Sequence, residues 1–148
     1  MDLRKTIELD LRDAMRSKDE ISLRTIRMVL SAIKLTEVEK GIALDEAGVI
    51  AVLQKEIKSR RESMSDAEKA NRPDLIDAAK AEIAIFEKYL PEQLTDEALE
   101  ALVKEAILET SASTPSEMGK VMKVLMPKVQ GRVAGDVLSK MVRHLLTE

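Results

Sequence analysis

Apolar residues recur along this chain with helical spacing, in blocks separated by short polar breaks. Leu3, Ile7, Leu11, Ala14 and Met15 line one face of a first helix. Ser17, Lys18 and Asp19 break it, and Asp19 suits the N-cap of the next. The second helix is expected from about Glu20 to Lys40, with Leu23, Ile26, Leu30 and Ile33 inward and Gly41 ending it. Leu44 and Asp45 read as the apolar N′ residue and N-cap of a third helix carrying Val49, Val52, Leu53 and Ile57. A turn around Asn71, Arg72 and Pro73 precedes a fourth helix from Asp74, with Leu75, Ile76, Ala79, Ile83 and Phe86. Pro91 disfavours helix at Leu90, which places a boundary in Tyr89 to Leu94 and divides residues 1–91 from 92–148.

Thr95 opens a fifth helix that runs to Glu109 on Leu99, Leu102, Val103, Ala106 and Ile107. Thr114 and Glu117 have capping-box spacing, with Pro115 at the first helical position. The sixth helix presents Met118, Val121, Met122, Leu125 and Met126 on one face, and Pro127 is expected to stop or kink it. A last helix from about Gly135 to Leu146 carries Val137, Leu138, Met141, Val142 and Leu145. Strand-type alternation is missing. The expected fold class is all-α, a four-helix N-terminal unit followed by a small three-helix C-terminal unit.

The charge is unevenly spread. Residues 1–80 are neutral, residues 81–117 carry 2 basic and 9 acidic side chains, and residues 118–148 carry 6 and 2. A basic C-terminal module behind an acidic segment is the one charge feature that suggests a partner. Cysteine is absent, which excludes thiol chemistry and Cys-ligated metal, and the single histidine, His144, makes a metal site improbable. The longest apolar run, Ala47 to Leu53, is far shorter than the roughly 20 residues needed to cross a bilayer. No leader-like segment is read at the start, so the expectation is a cytoplasmic protein without membrane partners or cofactors.

No catalytic constellation emerges. His144 near the last turn suits a helix C-terminus better than general-base work, which needs an oriented partner. The carboxylates lie beside Lys or Arg at helical spacing, as ordinary surface ion pairs do. MGKVM lacks the preceding glycine-rich loop of a phosphate-binding motif. Nucleic acid remains. Lys120, Lys123, Lys128, Arg132, Lys140 and Arg143 could meet phosphates around one corner, while Gly119 and Gly131 could allow close backbone approach or simply make turns. The alternative is a solvated basic face. Lys55, Lys58, Arg60 and Arg61 form a second basic group, expected to face solvent. Phe86 and Tyr89 are the only aromatics and fall outside the basic module, so base stacking is not expected.

At these residues the chain resembles the bacterial YqeY proteins, whose C-terminal part resembles the tail domain of the glutamine-dependent aspartyl/glutamyl-tRNA amidotransferase. The resemblance spans essentially the whole chain. It rests on LRTIRMVLSAIK, IKSRRES, YLPEQL and above all MGKVMKVLMPKVQGR. One departure matters: the family usually reads Gly-Arg-Ala-Asp-Gly after the proline turn, and Ala134 stands here at the aspartate. The resemblance implies an all-helical protein in two parts. It also implies a role in holding tRNA or other structured RNA, with Gly119, Lys120, Lys128, Gly131 and Arg132 as matching motif residues. The label it brings, carbon–nitrogen ligase with glutamine as amido-N-donor, belongs to other domains of the amidotransferase. The expectation is therefore a non-catalytic RNA-binding accessory protein. The alternatives are a module docking on an amidotransferase or aminoacyl-tRNA synthetase, and an amide-transfer enzyme.

Overall fold

The structure, a computed structural model, describes residues 2–147. Among these residues it contains α-helices and one 3-10 turn, with no strand. The helices are α1 (Leu3–Ser17), α2 (Glu20–Lys40), α3 (Glu46–Lys69), α4 (Pro73–Glu87), α5 (Asp96–Thr110), α6 (Met118–Val129) and α7 (Gly135–Thr147); the 3-10 turn Pro115–Glu117 precedes α6.

Local chemistry sets most of the ends. The Asp19 carboxylate accepts from Ser22 N–H at 3.1 Å, Asp45 from Gly48 N–H at 2.8 Å, and Thr95 Oγ1 from Ala98 N–H at 3.1 Å. Each satisfies an orphan donor of a first helical turn. Gly41 ends α2 with φ of 71°, the left-handed conformation a glycine adopts without strain. Pro73 opens α4 one position earlier than the sequence pattern places it, because a first helical residue needs no N–H. No helix of the described residues is long and apolar enough to cross a membrane.

The chain clusters into two compact units, one ending at Leu90 and the second beginning at Pro91. In the first, Leu3 and Ile7 of α1, Ile26, Val29 and Ile33 of α2, Val49, Leu53 and Ile57 of α3 and Phe86 of α4 share one aliphatic core. Tyr89 ties the end of α4 to α1 by donating its hydroxyl to Asp10 at 2.6 Å. Burial, and then that carboxylate, push the phenol well above its ordinary value. In the second unit α5, α6 and α7 each pack on the other two, around Leu99, Val103, Val121, Leu125, Leu138 and Val142.

Several sequence expectations need correction, among them the apolar faces of α1, α4 and α7, where Met15, Leu75 and Val137 are exposed. Of the two outcomes expected at Pro127, a stop or a kink, the stop does not occur; α6 runs on to Val129. The bond lost would have gone to the carbonyl of Lys123, an exposed residue that water can serve. Met126 is not on the buried face: it is 51% exposed, and Val129 takes its place beside Val121 and Leu125. Arg60 does not face solvent. Its Nε donates to Glu82 at 2.8 Å and its Nη1 to Glu56 at 2.6 Å, and the guanidinium lies 5.4 Å from the Phe86 ring centre. Lys55, Lys58 and Arg61 are exposed.

Candidate nucleic-acid interface

The basic residues singled out in the sequence belong to the second unit, and the fold treats them differently. On α6 the buried line is Val121, Leu125 and Val129. Lys120 and Lys123, three residues apart, share the opposite, exposed side with Gly119 and Pro127. Lys120 lies 3.8 Å from Glu117, one turn back. The Glu117 carboxyl is held below its ordinary value, first by the Ser113 N–H and further by the Thr114 hydroxyl and the Lys120 charge. It bonds Ser113 rather than closing the reciprocal capping box expected with Thr114, because the 3-10 turn intervenes. Among the described residues no ion pair engages Lys123.

Lys128 is placed elsewhere. Five residues beyond Lys123, it lies about 140° further round the helix and reaches Glu109 at the end of α5, at 3.6 Å. Part of its charge is thereby answered within the unit. Lys140 and Arg143 of α7 are exposed, on the side away from Leu138, Val142 and Leu146. No hydrogen bond or ion pair of the described residues joins them to the α6 lysines. His144, also exposed, stands in the last turn of α7.

The glycines separate as well. Gln130, with φ −54° and ψ 121°, and Gly131, with φ 76°, are the central residues of a type II turn closed by Arg132 N–H donating to Val129 C=O at 2.9 Å. The third position of such a turn needs positive φ, so backbone geometry alone accounts for Gly131. Gly119 has no such cause. A Cβ there would meet nothing within 4 Å, and its φ is not positive.

Arg132 is held by a segment that sequence reasoning did not include in the site. Its Nε donates to the Glu92 carbonyl at 3.1 Å, and its own carbonyl accepts from Leu94 N–H at 2.9 Å. The Gln93 amide donates to the Gly131 carbonyl at 2.7 Å and to the Pro91 carbonyl at 2.9 Å. The YLPEQL and GR motifs are thus joined in one clasp. Their joint occurrence in the sequence was the only available signal, since the bonds span 38 to 40 positions. Beyond it, α7 starts with Leu138 N–H on the Ala134 carbonyl. Alanine offers no side-chain oxygen to cap the helix, and Asp136 in the first turn supplies the only acidic group there.

Comparison with known proteins gives consistent relatives. A family model described as Yqey-like protein matches residues 4–146. A protein of Pyrenophora tritici-repentis named "Altered inheritance of mitochondria protein 41, mitochondrial" is 31% identical over 144 residues, 95% of this chain and 78% of the relative. Its namesake in Meyerozyma guilliermondii is 33% identical over 135 residues, covering 91% of this chain and 68% of the relative. The one in Lachancea thermotolerans is 35% identical over 113 residues, covering 74% and 60%. These names overturn the expectation of a cytoplasmic protein: all three relatives are named as mitochondrial. The lack of a leader-like pattern was no guide to compartment.

Proposed function

The chain belongs to the YqeY family, and from that premise we propose that it is a non-catalytic accessory protein that binds tRNA or another structured RNA through its C-terminal unit. The first four helices form the YqeY-type domain, and the last three form the domain resembling the amidotransferase tail. The observation that carries this reading is the outward side of α6. Lys120 and Lys123 project there beside Gly119, and the fold makes little use of any of the three. Lysines on an open helix side can neutralise phosphates without reading sequence. A glycine without a side chain lets a backbone approach closely.

The test is titration of total tRNA into the purified protein at low and moderate salt, with the wild type and a Lys120→Glu/Lys123→Glu variant. The expected result is binding that weakens steeply with salt and is lost in the variant, while helicity is retained. Equal binding by both proteins would remove the site. A second reading, docking on a translation enzyme, is favoured by Leu108 and Met126 of the same unit, 81% and 51% exposed. No binding of tRNA at low salt would favour it.

A further inference from the structure

We propose that Arg132 is a pre-oriented phosphate clamp, and that the Glu92–Leu94 segment is the device that aims it. This deepens the RNA reading above and rests on it. The Nε of Arg132 is committed to the Glu92 carbonyl at 3.1 Å. That bond fixes one edge of the guanidinium plane. Among the described residues no hydrogen bond or ion pair takes up the two Nη groups, and the side chain is half-buried. An arginine bound at Nε and free at Nη presents a rigid fork, matched to two oxygens of a phosphate. The lysines of the same unit have no comparable restraint.

The backbone around the fork is equally fixed. Arg132 closes the type II turn through its N–H, and its carbonyl accepts from Leu94, whose side chain packs on the core of the unit. Gln93 bridges the Pro91 and Gly131 carbonyls. Gln93 and Glu92 are positioning residues: neither needs to touch the ligand. A purely structural strut would use a carbonyl bond of this kind too, but it would not depend on which cation supplies the donor's far side. Lysine can replace the charge and a single bond. It cannot hold Glu92 and grip two phosphate oxygens together.

Arg132→Lys, Arg132→Ala and Gln93→Glu are therefore compared with the wild type in tRNA titrations, well below each protein's unfolding temperature. Arg132→Lys is expected to lose roughly tenfold in affinity, since the charged bond forgone is worth about one such factor, and Arg132→Ala, which also loses the charge, more. Gln93→Glu, which turns a donor into an acceptor facing two carbonyls, is expected to weaken binding although it leaves every basic residue in place. The Arg132 Nε–H signal of the wild type, followed by NMR, should stay protected without ligand and shift on adding tRNA. Wild-type affinity in Arg132→Lys would overturn the clamp and leave the RNA reading standing on the lysines. If the wild type binds no tRNA at low salt, the RNA reading fails. The clamp is then judged by the same Nε–H signal titrated with inorganic pyrophosphate: a saturating shift supports it, and no shift overturns it.

Discussion

The two units of this protein spend their charged residues in opposite ways. In the first, two arginines, Arg4 and Arg60, are drawn into the packing while lysines such as Lys55 and Lys58 stay exposed. Arg60 is only 12% exposed and bridges Glu56 on its own helix to Glu82 on α4. Arg24 adds a second contact to Glu82 at 3.6 Å, and Arg4 of α1 reaches Glu37 of α2, whose carboxylate also accepts from Leu44 N–H. In the second, Lys120, Lys123, Lys140 and Arg143 stand exposed, and Lys128 and Arg132 are only partly engaged. Both units hold basic clusters when read as sequence. The difference shows that a basic residue is withdrawn from partners where the fold has answered it with buried carboxylates, as at Arg60.

The largest test of that contrast is Arg60→Ala. It leaves Glu56 half-buried without its partner and Glu82 with only the longer Arg24 contact, and a loss of about 3 kcal/mol is expected, measured by chemical unfolding. Lys123→Ala should change stability by less than about 0.5 kcal/mol in the same assay. Comparable losses would erase the distinction between the units. Gly131→Ala comes next. Its φ of 76° penalises any side chain, and a cost of about 1–2 kcal/mol is expected whether or not a ligand binds there. Gly119→Ala sharpens the comparison from the other side. Helical preference predicts a gain of up to about 1 kcal/mol, since the added methyl meets nothing. Weaker tRNA binding by that stabler protein would separate a ligand-facing glycine from a structural one.

The smallest effect concerns pH. The Arg4 hydrogen bond, and then the Leu44 N–H, hold the Glu37 carboxyl below the ordinary 4.5 of a glutamate. A lowered carboxylate stabilises the fold fully above its unfolded value and loses that contribution as pH falls through the folded one. The melting temperature of Glu37→Gln should therefore lie below the wild type at pH 7, and the gap should narrow on acidification below about pH 4.5. A gap that is constant with pH would mean the residue acts through packing alone.

The helices and their caps were legible because their causes are local. Asp19, Asp45 and Thr95 bond donors three residues away, and Gly41 ends α2 by its own φ. The stop expected at Pro127 misled because the rule against proline weighs a lost bond without knowing whether water can replace it. Met126 misled because α6 is short: adding Val129 to the apolar line rotates the buried face away from it. The sites were harder to read. Lys120 and Lys123 share a side by simple spacing, and the same spacing turns Lys128 about 140° away, but its Glu109 contact comes from another helix and no spacing shows it. The environment of Arg60 comes from α4, 22 positions away, and that of Arg132 from a segment 40 positions away. No periodicity carries such information.

The clasp between residues 92–94 and 131–132 also bears on how the protein is born. Its first half leaves the ribosome long before its second. At synthesis speeds of roughly 5–20 residues per second, Gln93 waits about 2–8 seconds for the Gly131 carbonyl to be made. During that interval α5 and α6 can form their turns, but the ring that joins the start of the C-terminal unit to the corner after α6 stays open. The closure of that ring, with the chain entropy it costs, falls after the growing chain has passed Arg132. A nascent chain that ends at Val129 lacks the groups that Glu92, Gln93 and Leu94 bond at the corner, and its ring is still open.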